Sequence, residues 1–328
     1  MNEKEKKSCF DGKKLKAFRE EKSLTQKDIE YKTEELGSRI NERTIRGLEK
    51  GGRKPNLSTL RILAEVLEKK PNDFYCGEDE TESLLSKYRI DFADFIEDRT
   101  RNFVGRNFIF EEISDFIAHN NNGYIIFKGD PGIGKSSIMA KLVKDKQYIH
   151  HFNIASEGIN KASCFLKNVC AQIINYYQLD YTSISPEAWD DGKFLYKLLR
   201  EASKKTNQRL IIIVDSLDEV DISGQSMGAN ILYLPPRLPD NVFIIMSARN
   251  QDISLRLECA YKSYPIEHNS KENRADITEY LKHKVGLEGI KNYVNKHKIK
   301  TQMFIDSMLE KSEGNFMYLR YVLPEIEK

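Results

Sequence analysis

Eleven consecutive residues constrain this chain more than any others: Phe127-Lys128-Gly129-Asp130-Pro131-Gly132-Ile133-Gly134-Lys135-Ser136-Ser137. They fit the spacing G-x-x-x-x-G-K-[ST], preceded by an apolar run (124–127) that reads as a buried strand and followed by a helical run from Ile138 to Leu142. A strand, a glycine-rich turn and a helix in that order predict an α/β domain with a parallel sheet flanked by helices. The ligand of such a domain lies outside the carboxyl ends of the strands. The glycines let backbone N–H groups turn inward, and the helix aims its positive dipole end at the same point, so the turn suits the β- and γ-phosphates of a nucleotide. The candidate ligand contacts are Gly129, Pro131, Gly132, Ile133, Gly134, Lys135, Ser136 and Ser137. Lys135 supplies a cation for the β/γ oxygens, and the Ser136 hydroxyl can complete the coordination of magnesium. A glycine-rich turn with no ligand is the competing reading, and the flanking strand and helix argue against it.

A second motif supports the first. Leu210-Ile211-Ile212-Ile213-Val214-Asp215 is an apolar run ending in a carboxylate, as expected of a central parallel strand, and Asp215 can hold magnesium through water together with Ser136. Asp218 and Glu219 follow and are candidates for the base that orients an attacking water. Val242-Phe243-Ile244-Ile245-Met246 leads into Ser247-Ala248-Arg249, which predicts a third strand with Arg249 at the same sheet edge. There its guanidinium suits a γ-phosphate, with a surface salt bridge as the alternative. Lys135, Asp215, Asp218, Glu219 and Arg249 are thus the catalytic candidates.

At 328 residues, 40% hydrophobic and 31% charged, the chain has room for two or three globular domains. Cys9, Cys76, Cys164, Cys170 and Cys259 are scattered with no C-x-x-C pair, so no disulfide framework or zinc site is expected, and the adjacent His150 and His151 read as a loop or strand end. No apolar stretch is long enough to cross a bilayer and no apolar segment follows the charged start, so a cytoplasmic chain without a membrane partner is expected. The net charge of +2 is uneven: residues 1–75 hold 19 Lys and Arg against 14 Asp and Glu. A nucleic-acid partner is therefore sought first at the N-terminus.

That N-terminal segment, residues 13–75, has helical patterning throughout. Leu15 and Phe18 form one stripe, Thr25 caps the helix of Ile29, and Asn41 caps a helix carrying Ile45 and Leu48. Leu57, Leu60, Leu63, Ala64 and Leu67 make the stripe of a fourth. In order, Leu15-Lys16-Ala17-Phe18-Arg19-Glu20, Leu24-Thr25-Gln26, Arg43-Thr44-Ile45-Arg46-Gly47-Leu48-Glu49-Lys50-Gly51 and Lys54-Pro55-Asn56-Leu57-Ser58-Thr59-Leu60 resemble the Cro/cI-type (Xre-like) helix-turn-helix family. The resemblance implies double-stranded DNA as partner. It puts Glu42, Arg43 and Arg46 at base edges, Gln26 as a helix cap beside a phosphate, and Arg53 and Lys54 near the backbone. Arg19 and Glu49 would form an internal ion pair. The stretch from residue 26 to 44 is longer than usual in that family, so residues 31–40 enlarge the turn, and Glu30 stands where a small residue is usual. A protein-docking helical domain is the alternative.

Residues 76–102 read as an acidic linker and a connecting helix with spacing at Ile90, Phe92, Phe95 and Ile96, residues 103–270 as the nucleotide domain, and residues 271–328 as a helical lid. Phe103-Val104-Gly105-Arg106, the glycine-rich loop, Val214-Asp215-Ser216-Leu217-Asp218-Glu219 and Ser247-Ala248-Arg249 together resemble the STAND class of P-loop ATPases, particularly its NACHT-like members. Asn230-Ile231-Leu232-Tyr233-Leu234-Pro235 and Ser312-Glu313-Gly314-Asn315-Phe316-Met317-Tyr318 look like further segments of that class, with Gly314-Asn315-Phe316 where many relatives have Gly-x-Pro. The resemblance implies an ADP-held switch that exchanges for ATP, self-associates into oligomers and activates an effector, in defence or stress response. It puts Arg106 near the adenine or ribose, Arg249 as sensor of the γ-phosphate, and the C-terminal helices as a lid beside the base. A sensor region after residue 328, or a partner subunit supplying regulation, is expected on the same ground.

The function expected from sequence is therefore an ATP- or ADP-binding, magnesium-dependent switch, slow as an ATPase, coupled to DNA binding or transcriptional regulation. Three alternatives stay open: a repressor with a structural nucleotide, a continuously hydrolysing ATPase partnering a nuclease, and a protein-recruiting adaptor.

Overall fold

The computed structural model describes residues 9–51, 55, 57–69, 71–76, 85–181, 184–206 and 208–327. Arg53, Lys54 and the acidic stretch 77–82 lie outside the described residues. The chain divides into two units, Met1–Lys87 with Tyr181–Ser183, and Tyr88–Asp180 with Ile184–Lys328.

In the first unit, β1 (Cys9–Phe10) pairs antiparallel with β2 (Tyr75–Cys76) and closes a bundle of α1 (Gly12–Glu21), α2 (Gln26–Glu35), α3 (Glu42–Glu49) and α4 (Leu57–Leu67). The helix starts follow from side-chain chemistry. Thr25 and Asp28 form a reciprocal capping box, and Asn41 accepts from the Thr44 amide at 2.8 Å. The apolar stripes converge on a core of Leu15, Ile29, Ile45, Leu48, Leu60 and Leu63. Truncating one of them, such as Ile45→Ala, removes about 2–5 kcal/mol. The enlarged turn is tied by Glu30: its carboxylate accepts from the Glu42 amide at 2.8 Å and from Arg39, while buried Thr33 accepts from the Ile40 amide at 3.0 Å. A carboxylate at that position thus anchors the longer connection and sits at the start of α3, where negative charge suits the helix dipole.

The second unit is an α/β layer. Strands β3 (Gly123–Lys128), β4 (Ile149–Phe152), β5 (Leu210–Asp215), β6 (Val242–Ala248) and β7 (Tyr261–Pro265) form a parallel sheet in the order β4-β5-β6-β3-β7. Every residue of β5 and β6 is buried, which explains their unbroken apolar runs: helices cover both faces of a parallel sheet. Those helices are α5 (Ala93–Thr100), α6 (Asn107–His119), α7 (Lys135–Lys146), α8 (Ala162–Tyr176) and α9 (Lys193–Lys205). The connecting helix expected over 88–100 begins only at Ala93, whose amide the Asp91 carboxylate accepts, and α5 is pinned to α7 by Glu97 and Lys144 at 2.8 Å. Four more helices follow, α10 (Lys271–Val285), α11 (Glu288–Lys296), α12 (Thr301–Ser312) and α13 (Phe316–Ile326), with a core of their own around Ile277, Leu281, Ile290, Phe304, Leu319 and Leu323. No helix among the described residues is long and apolar enough to cross a membrane.

His151 sits fully buried in β4 against Phe92 and Phe165, and burial pushes its imidazole down to about 3. The folded state accepts only the neutral ring, whereas an unfolded histidine protonates near its ordinary value of about 6.5. Stability contributed by His151 is therefore complete above pH 6.5 and falls as pH drops toward 3, by about 1.4 kcal/mol per pH unit. Thermal melts between pH 7 and pH 4.5 should show a shallower acid loss for His151→Gln than for the parent. Identical pH profiles would contradict this assignment.

Candidate functional site

The strand register builds the site. Phe127 lies opposite Ser247 and Val214 opposite Met246, so the glycine-rich loop, Asp215 and Ser247 share one edge of the sheet. Gly132 and Gly134 adopt φ of 87° and 98°, the left-handed region that favours glycine, and the chain then enters α7 at Lys135. Ile133 is fully buried and anchors the loop in the core. The Lys135 ammonium folds back onto the loop, donating to the carbonyls of Gly129 at 2.6 Å and Asp130 at 3.0 Å. Burial lowers its pKa, opposed by the charges of Asp218 and Asp215.

Asp215 is buried and accepts hydroxyl hydrogen bonds from Ser247, Ser136 and Ser216, the last at 3.2 Å. Burial raises its carboxyl above the usual range, and these hydroxyls pull the other way. The two candidate bases are both engaged. Asp218 accepts from the Arg249 amide at 2.9 Å and pairs with its guanidinium at 2.8 Å, while Glu219 accepts from the Ala155 amide at 3.1 Å. Arg249 therefore meets a carboxylate beside the loop, and half of its side chain remains exposed.

Arg106 is 2% exposed and reaches the loop from the start of α6, donating Nη2 to the Ile133 carbonyl. Asp276 of α10 accepts from its amide at 3.0 Å and lies 3.7 Å from its Nε, and Phe316 stacks under the guanidinium at 4.8 Å. Burial lowers its pKa to about 10, with Asp276 opposing. The Arg106 Nη1 is buried with no hydrogen-bond partner among the described residues. Arg106, Phe316, Lys135, Asp218, Glu219 and Arg249 line a cavity of about 520 Å³ that also takes in Gly134, Ser136 and Ser137.

Sequence reasoning missed how the C-terminal helices hold the loop. Asn315 donates to the Pro131 carbonyl at 3.1 Å, and the Met317 amide reaches the Gly132 carbonyl at 3.3 Å. A Cβ on Gly132 would lie 2.2 Å from the Asn315 side-chain oxygen, so the glycine serves this contact as well as the turn. Gly314 packs on the His268 carbonyl, with a Cβ there only 2.3 Å away, and His268 in turn meets Asp130 at 3.1 Å. Asn273, fully buried, donates to the carbonyls of both His268 and Gly314 at 2.7 and 2.9 Å. Gly314-Asn315-Phe316 was visible as a motif, but only the fold brings it to the loop.

On the first unit, three of the six expected DNA contacts belong to one hydrogen-bonded chain. Arg46 pairs with Glu42 one turn away and donates to the Gln26 side-chain oxygen at 3.3 Å, and Gln26 donates to Glu49 at 2.6 Å. Thr25, not Gln26, is the side-chain cap of α2, because its shorter hydroxyl reaches the Asp28 amide. Glu49 also accepts from Arg19 at 2.6 and 3.2 Å, giving the expected internal ion pair. Arg43 is exposed on α3 and makes no ion pair among the described residues.

Comparison with known proteins supports both halves to different depths. Residues 15–74 match the family model described as Helix-turn-helix, so the N-terminal unit carries a Cro/cI-type helix-turn-helix domain, which points to DNA-binding regulation. Over 162 residues, 44% of this chain, the sequence is 24% identical to "NACHT domain- and WD repeat-containing protein 1" of Homo sapiens. Over 133 residues, 38% of this chain, it is 26% identical to the Mus musculus protein of the same name. The chain covers only 10% and 8% of those two proteins, and this distant likeness hints at nucleotide binding.

Proposed function

We propose that this chain is an ATP-binding switch of the STAND type, whose nucleotide state governs self-association and thereby DNA engagement by the helix-turn-helix domain. The observation that carries this reading is the latch of Asn315 and Met317 on the carbonyls of Pro131 and Gly132. A ligand that resets the loop must also act on the C-terminal helices. The donor set fits such a ligand. Among the described residues Lys135 donates hydrogen bonds to backbone carbonyls only, and the orphaned Arg106 Nη1 calls for an acceptor. Ser136 and Asp215, an oxygen pair at the strand end, would hold magnesium, which when bound neutralises phosphate charge.

Slow turnover fits the carboxylates. Asp218 is committed to Arg249 and Glu219 to a backbone amide, so neither is poised to deprotonate water. Hydrolysis by the isolated chain should stay below about 10⁻² s⁻¹, the range of phosphate-loop switches acting without a partner. Throwing a switch from mostly off to mostly on takes about 5.5 kcal/mol, whereas two latch hydrogen bonds contribute about 1 kcal/mol each. Contacts between assembled copies supply the rest, and several helix-turn-helix domains on one duplex gain by avidity.

Light scattering and fluorescence anisotropy on a generic duplex test the coupling. With ATP and magnesium the mass should exceed that of the monomer and DNA affinity should rise by about 10-fold or more over the ADP state, an avidity effect. Lys135→Ala should hold both at the ADP level. A Lys135→Ala protein that assembles and binds DNA like the parent would replace this reading with a repressor whose nucleotide is structural. Fast turnover lost in Asp218→Ala/Glu219→Ala would favour a continuously working ATPase.

A further inference from the structure

The cations lining the cavity beside the loop are unevenly placed, and four of the seven stand on elements other than the loop and its sheet edge. Seven cationic side chains line it against three carboxylates. At the loop end, Lys135 and Arg249 are balanced by Asp218 and Glu219, and Arg106 is balanced from behind by Asp276. Among the residues lining the cavity, the remaining cations, Arg99, Arg101, Lys284 and Arg320, have one carboxylate, Asp98, beside them on the wall formed by α5, α10 and α13, while Glu97 acts on Arg101 and Glu327 on Tyr280 from outside it. They form one cluster. Arg320 pairs with Asp98 at 2.7 Å, and that hydrogen bond, helped by the charges of Arg99 and Arg101, holds the Asp98 carboxyl below its ordinary value. Lys284 lies 5.7 Å over the ring of Tyr280, which also senses the charge of Arg320.

Two further observations show that this wall is short of acceptors. Arg101 and Lys284 make no ion pair among the described residues. Arg99 Nε is a buried donor without a hydrogen-bond partner among the described residues. A base and an unmodified ribose are neutral, and would leave these like charges crowded on one concave surface. Guanidinium groups present forked donors that suit phosphate oxygens. Resting on the nucleotide reading above, we propose that this wall is a second phosphate subsite, which lets the site take, besides ATP and ADP, adenine nucleotides phosphorylated on the ribose as well as on the 5′ position.

Calorimetric titration of the full chain with AMP, adenosine 2′,5′-bisphosphate, adenosine 3′,5′-bisphosphate, and ADP and ATP with magnesium tests the subsite separately from the loop. One of the two bisphosphates should bind about 10-fold or more tighter than AMP, as charge-assisted hydrogen bonds predict. Arg101→Gln/Lys284→Gln should erase that margin while leaving ADP affinity within about 2-fold, because neither side chain touches the loop-end charges. Bisphosphates that bind no tighter than AMP, or a margin that survives the double variant, would overturn the subsite while ADP binding kept the nucleotide reading intact. Absence of binding by ADP and ATP as well would overturn both.

Discussion

Glu49→Ala is expected to lower the stability of the helix-turn-helix unit by about 3 kcal/mol, the low end for breaking a buried ion pair. Glu49 accepts from Arg19 and Gln26, and the two charged side chains of the pair are only 11% and 6% exposed. Without the carboxylate, Arg19 keeps the Leu24 carbonyl at 2.8 Å and a distant Glu20 at 3.7 Å, which moderates the loss without cancelling it. Hydrogen exchange in the full chain checks the prediction locally. Amides of α1 and α3 should lose protection by roughly two powers of ten, the equivalent of that free energy, while β5 and β6 stay unchanged. Unaltered protection in α1 and α3 would show that the pair is merely a surface ornament of the fold.

Asp215→Asn should have two effects of opposite sign. Asp215 is buried and its carboxyl is raised above the ordinary carboxylate value, so the ionised group opposes folding increasingly as pH climbs past that unfolded value of about 3.9. A neutral amide of the same shape, with three hydroxyls able to reorient around it, should therefore raise the melting temperature by a few degrees at pH 7, equivalent to about 1 kcal/mol. The same change removes the anionic oxygen that would hold magnesium with Ser136, and should cost on the order of 10-fold or more in magnesium-dependent nucleotide affinity. Stabilisation joined to lost binding is the behaviour of a group retained for function at the expense of the fold. A destabilised variant that keeps full nucleotide affinity would contradict both halves.

What the sequence could convey depended on how local the physics was. The unbroken apolar runs of β5 and β6, each ending at a site residue, were legible because a buried parallel strand needs nothing beyond its own side chains to declare itself. The caps at Thr25 and Asn41 were equally local. The strand β4 was harder: Ile149-His150-His151-Phe152 carries two histidines that look polar, and only the packing of His151 between aromatic rings makes that one core while His150 stays partly exposed. Glu30 looked like a misfit until the enlarged turn brought Arg39 and the Glu42 amide to it. Asn315 is the extreme case, since its partner Pro131 lies 184 residues earlier and no periodicity or spacing connects them. The pairing of Asp218 with Arg249 answers to the salt bridge that the sequence leaves open for Arg249, but its partner becomes legible only where β5 and β6 lie side by side.

On the reading proposed here, residues 129–137 together with Asp215 bind a nucleotide polyphosphate and magnesium. Isothermal titration of the folded full chain decides the matter. Saturable, one-site heat with ATP and with ADP in magnesium, weakened by about 100-fold in Lys135→Ala through loss of a charge-assisted contact, is the predicted result. A folded protein that gives no heat with either nucleotide, or a Lys135→Ala variant that binds both as tightly as the parent, would contradict it.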